Sequence, residues 1–110
     1  MNKTDRILME LGHPERLQGT EYLRRGLEIY RPGMSMTKEL YPAIAKAVGS
    51  SPSRVERCMR HSIETAWNRG SMTAQLRFFG YTVDPQKGRP TVGEYVAAMA
   101  RRVHEAESAE

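Results

Sequence analysis

Cysteine is almost missing from this 110-residue chain: Cys58 stands alone, so no internal disulfide framework holds the fold, and a single thiol suits a reducing compartment. No apolar run approaches the ~18 residues of a membrane-spanning helix. The N-terminal MNKTDRILMELG has neither an apolar stretch of about 7–15 residues nor a small-residue cleavage site, so it is not a secretory signal. Nucleotide-binding and nucleophile motifs are missing too, with no GxxxxGKS/T, GxGxxG or GxSxG. His13, His61 and His104 lie far apart, and none has a cysteine or carboxylates at the spacing of a metal site. His61 and Glu64 are close together but would supply only two ligands. The chain therefore reads as a non-enzyme with no metal, cofactor or small-molecule ligand. Convincing strands are also lacking, and only Gly80–Val83 has local strand character.

What is present is a mildly basic chain, with a net charge of +4, a pI near 9.5 and 39% hydrophobic residues. This balance favours a polyanionic partner only if the charge is arranged on one surface. Gly and Pro punctuate about six short helices, so the expected fold class is all-α: one bundle spanning residues 1–110 as a single domain, without winged strands. The expected helices run over Lys3–Leu11, Thr20–Tyr30, Thr37–Val48, Pro52 to about Asn68, Ser71–Phe79, and from Thr91 to about Ala106. Thr37 is the expected N-cap of the third helix, although Pro42 argues for a start nearer Leu40. Ser51 followed by Pro52 is the start signal of the fourth, with Ser53-x-x-Glu56 a competing capping box. Thr91-x-x-Glu94 is the capping box of the last.

The stretch Tyr41–Arg60, YPAIAKAVGSSPSRVERCMR, has the requirements of a helix-turn-helix. Ala45 is small where the second helix crosses the first. Gly49 can take a left-handed turn at little cost. Val55, Cys58 and Met59 supply apolar positions facing back. On a wheel of 100° per residue with Val55 at the origin, Met59, Ser62, Ile63 and Ala66 fall within about 80° of it. Ser53, Arg54, Arg57, Arg60 and His61 fall at about 140–260° on the same wheel, and Glu56 sits at the margin. Arginine can fork onto guanine O6 and N7, and a glutamate can accept from the cytosine amine. Arg57, Arg60 and Glu56 are therefore the candidate base readers. Ser51, Ser53 and the free N–H groups of the helix start suit phosphates. Such charges also suit a solvated helix face, but the Ala45–Gly49–Val55 spacing favours DNA.

Other features read as structure. Cys58 points inward and suits a buried, inert thiol. Trp67, Phe78, Phe79 and Tyr81 could stack on single-stranded bases but sit where packing needs bulk. Lys87-Gly88-Arg89 is a small basic cluster that fits either a phosphate grip or a solvated turn.

The runs LYPAIAK, SRVERCMRHSIETAWNRG and FGYTV, together with G-x-P and G-x-x-YLR earlier in the chain, resemble the C-terminal effector domain of the stage-zero A sporulation response regulators of endospore-forming bacteria. The resemblance spans about Leu8 to Met99. It implies a six-helix, sequence-specific binder of double-stranded DNA that regulates transcription in the bacterial cytoplasm, at the nucleoid. It places Glu56, Arg57 and Arg60 on bases, and Ser51, Ser53, Arg54, His61 and Lys87, with Arg89 beside it, near phosphates. It associates the segment carrying Asn68, Arg69, Ser71, Gln75 and Arg77 with the sigma subunit of RNA polymerase, and the last helix with pairing of two copies on tandem sites. The family's receiver domain has no counterpart here, and Asp5 and Asp84 are isolated, so the expectation is either a standalone effector, which the leading Met1 favours, or a fragment of a longer regulator, in either case binding DNA without a phosphorylation switch. The competing expectation is a protein-interaction module of the same fold that titrates polymerase or a full-length regulator without reading DNA.

Overall fold

Capping chemistry sets where the helices begin. Asn2 accepts from the Asp5 N–H and starts helix α1, Lys3–Glu10. Helix α2 spans Gln18–Ile29, α3 Tyr41–Val48, α4 Pro52–Arg69, α5 Met72–Phe79 and α6 Val92–Ser108. Ser51 and Ser71 cap α4 and α5 through the N–H groups of Arg54 and Ala74. Thr91 and Glu94 form a reciprocal capping box before α6, at 2.9 and 3.1 Å. The computed structural model describes residues 2–80 and 88–108, the last three of these by backbone alone. The described residues form no strand, and the expected strand character at Tyr81–Val83 lies outside them.

Two expectations about helix starts are corrected. The third α-helix begins at Tyr41, next to the Leu40 start that Pro42 suggests, but the turn leading into it is capped by Ser35 and not Thr37, Ser35 Oγ accepting from the Lys38 N–H at 3.1 Å. That turn, Met36–Leu40, is π-helical: the Leu40 and Tyr41 N–H groups bond to the carbonyls of Ser35 and Met36, five residues back. Pro42 explains this, because its ring collides with the carbonyl four residues earlier and it has no N–H to give. A widened turn carries the chain past it. Helix α2 begins at Gln18 and not at Thr20, so it includes Gly19.

Gly19 is the most tightly packed of the described glycines. A β-carbon there would lie 1.9 Å from the Cys58 carbonyl oxygen and 2.9 Å from the Ser62 β-carbon of α4. Only a glycine lets the two helices touch backbone to backbone. Two turns further on, Gly26 faces Ile44 of α3 and Met59 of α4, so α2 is the platform on which both later helices lie. The apolar core gathers around this platform and every helix contributes: Leu8, Leu23, Ile44, Met59, Phe79 and Met99 are among its members. Arg24 ties α1 to α2 by meeting Asp5, Glu15 and Glu21 at once.

The close approach also assembles a buried polar chain. His13 Nδ1 lies 2.8 Å from Ser62 Oγ and His13 Nε2 lies 2.7 Å from the Tyr95 hydroxyl. Thr20 Oγ1 lies 2.9 Å from Ser62 Oγ and donates to the Pro14 carbonyl at 2.7 Å. The donors can be assigned by elimination. Thr20 spends its only hydroxyl proton on Pro14, so Ser62 must donate to Thr20. Ser62 then has no proton left, so His13 Nδ1–H donates to it. Burial keeps the imidazole neutral, so Nε2 carries no proton and accepts from Tyr95, which leaves each polar atom of the chain satisfied. Burial lowers the His13 pKa from its ordinary 6.5 to about 4.

Two outcomes follow. Gly19→Ala, which would gain about 1 kcal/mol of helix propensity at an open site, is expected to lose ~3 kcal/mol or more in urea unfolding. A variant as stable as the parent contradicts the backbone contact. Second, between pH 6.5 and 4 the unfolded chain binds a proton that folded His13 refuses, so stability falls as pH falls through that window. Unfolding free energies from urea titrations at pH 7 and pH 5 should differ by about 2 kcal/mol. No change over this range contradicts a neutral buried His13.

Candidate nucleic-acid interface

The turn between α3 and α4 is set by Gly49, whose φ of 69° and ψ of 43° place it in the left-handed region. The Ser50 N–H returns to the Ala45 carbonyl at 2.9 Å, closing α3 in a Schellman-type end. Ala45 itself is buried, as the crossing requires. Ser51, and not Ser53, caps α4: its Oγ accepts from the Arg54 N–H, while Ser53 Oγ lies 3.4 Å from Ser51 Oγ. Pro52 at the first helical position has no N–H and the Arg54 and Val55 N–H groups are taken by Ser51, so the Ser53 N–H is left without a partner among the described residues.

The inner and outer faces of α4 divide as the wheel requires. Val55, Met59, Ser62, Ile63 and Ala66 are buried, and Ser51, Ser53, Arg54, Arg57, Arg60 and His61 are exposed. Cys58 is half-buried beneath α2. Arg54 and Arg57 make no ion pair among the described residues, while Arg60 Nη1 lies 3.3 Å from Glu56 Oε1 one turn back. Glu56 is thus partly covered and engaged with Arg60. Both line one cleft with Tyr41 of α3, Met36 of the π turn and the Gly88–Gly93 segment. Arg89 reaches this cleft from the far side and bonds Glu64 of α4 at 2.7 Å. Burial and the Glu56 carboxylate raise the Tyr41 phenol pKa, with Arg60 opposing, so Tyr41 stays a neutral wall of the cleft. Lys87 lies outside the described residues.

The remaining candidates sit at the other end of α4. Asn68 and Arg69 are exposed; Ser71 is spent on capping α5; Gln75 is half-buried and donates to the Trp67 carbonyl at 2.8 Å. Arg77 packs over Phe78 and pairs with Glu10 of α1. The spacing did not single out Met72 and Leu76, which expose 74% and 59% of their surface on α5 and are the large apolar groups this region presents. Their separation of four residues was the available signal. Trp67, Phe78 and Phe79 pack as structure, with Trp67 edge-on to Phe79 and Phe79 against Tyr95. Tyr81 lies outside the described residues. Among the described residues no group of three metal-ligating side chains assembles, and no helix is long and apolar enough to cross a membrane.

A basic recognition-type helix, a left-handed Gly turn and a small-residue crossing are the parts of a helix-turn-helix. The family model described as "Sporulation initiation factor Spo0A C terminal" matches residues 4–103. The chain belongs to this family. Spo0A C-terminal domains are DNA-binding effector domains of sporulation and transcription regulation, not a known enzyme family. The match covers all six helices to Val103, so the features of α4 belong to the shared fold and not to an appended segment.

Proposed function

We propose that this chain is a sequence-specific transcription regulator that lays α4 in the major groove of double-stranded DNA and has no catalytic activity. The observation that carries the reading is the division of α4: its inner face is spent entirely on the core, and the outer face leaves Arg54 and Arg57 without ion-pair partners among the described residues. Arg57 and Arg60 read guanine, and Glu56 accepts from cytosine while orienting Arg60. Ser51, Ser53, Arg54 and His61, with Lys87 and Arg89 on the flank, meet phosphates and fix the register. The protein acts at the bacterial nucleoid.

A protein contact complements this reading, supported by the exposed Met72 and Leu76 beside Arg69 and Arg77. This face suits the sigma subunit of RNA polymerase. One domain makes a small footprint, so two copies on tandem sites, pairing through α6, would supply useful affinity. The alternative, an interaction module that ignores DNA, has no use for unpaired arginines on α4.

Mobility-shift titrations on a G·C-containing family-type box and on a scrambled duplex, at two salt concentrations, test the reading. The box should bind at least about 1,000-fold more tightly, and both duplexes should show a steep salt dependence. Arg57→Ala should lower the preference by about tenfold. Equal affinity of the parent for the two duplexes contradicts sequence reading.

A further inference from the structure

Glu64 lies nine residues beyond Val55, at about 180° from it on the helix wheel, so it shares the outer stripe with Arg57 and Arg60. A carboxylate there repels phosphates. It is either a liability or it has a task in the complex. The structure gives it a partner: Arg89 Nη2 lies 2.7 Å from its Oε1. Arg89 is fixed at its backbone, because the next residue, Pro90, is buried and the Thr91–Glu94 capping box follows directly. Its long side chain is still about half exposed and would otherwise sample many rotamers. The guanidinium has five N–H donors in a rigid fork, and Glu64 engages one nitrogen, Nη2. The other donors have no partner among the described residues and lie on the wall of the cleft that Glu56 and Arg60 also line.

We propose that Glu64 is a positioning residue of the DNA interface: it holds the Arg89 fork at the lip of the recognition-helix cleft, with free N–H groups ready for a backbone phosphate. The inference rests on the DNA-binding reading above and assigns Glu64 a role that its charge alone opposes. Arg89 supplies the contact, and Glu64 acts only through Arg89. The contact goes to the sugar-phosphate backbone, so it strengthens every duplex alike and leaves sequence preference to α4.

The test is a binding cycle with the parent, E64Q, R89A and the double variant on box and scrambled duplexes over a salt series. Thermal unfolding serves as a control that the surface changes leave the fold intact. Removing a negative charge facing DNA should by itself tighten binding. Positioning predicts the reverse: E64Q weakens both duplexes by about threefold and keeps their ratio. R89A weakens both by more and lowers the salt slope by ~0.9, one phosphate contact. In the R89A background E64Q should cost nothing. If E64Q binds as tightly as the parent or tighter, or costs the same without Arg89, the inference is overturned. A parent that binds both duplexes equally, yet shows the Glu64–Arg89 coupling, overturns sequence reading and supports this inference. A parent with no salt-dependent binding overturns both.

Discussion

The backbone contact between α2 and α4 at Gly19 is the constraint on which the rest of the molecule depends. It brings the α2 chain against the Cys58 carbonyl, closer than any side chain permits. Three consequences follow from that distance. Thr20, next to Gly19, reaches Ser62 and closes the buried polar chain to His13 and Tyr95, which locks α4 to both the α1–α2 loop and α6. Gly26, seven residues on, meets Ile44 and Met59, so α3 and α4 rest on the same helix and their crossing is held from behind. The inner face of α4 is consumed along its length, and its charged residues have one direction left to face. Preorganisation of the recognition helix is thus a packing result before it is an electrostatic one.

On that rigid support the outer face manages its charge with local pairs. Arg60 is held by Glu56 and Arg89 by Glu64, while Arg54 and Arg57 remain unpaired among the described residues. Exposed pairs of this kind are worth little to the fold, at most about 1 kcal/mol each. Their effect is to restrict where long arginine side chains point. A polyanion that arrives at this face meets two cations already aimed and two free to adapt. The start of α4, which the proposed reading turns toward phosphates, is built differently, from the Ser51 cap and the Ser53 N–H, with Arg54 the charge of its first turn.

The parts of this account legible in the sequence were those governed by short-range rules. The split of α4 into Val55, Met59, Ser62, Ile63 and Ala66 against the arginines follows from helical period alone, and the Ser51 and Thr91 caps follow from local chemistry. Gly49 declares its turn by type. Gly19 does not, because an isolated glycine near a helix start reads as a penalty, and its partner is 39 residues away in Cys58. His13 gives no sign of its role in the sequence, since contacts to Ser62 and Tyr95, 49 and 82 residues on, leave no local trace. The π turn arose from Pro42 acting on residues before it, which displaced the cap from Thr37 to Ser35. Glu64 and Arg89 are paired by tertiary structure, across 25 residues, and spacing cannot join them.

The central claim is that arginines on α4 read guanine in the major groove. The most direct measurement replaces each guanine of the bound box in turn with 7-deazaguanine, which removes the N7 acceptor and leaves the base pair and the minor groove intact. Affinity of the parent should fall at one or two positions by about 1–3 kcal/mol. Arg57→Ala or Arg60→Ala should become indifferent to one of those replacements. Parent binding that is unaffected by 7-deazaguanine at every position would contradict the account.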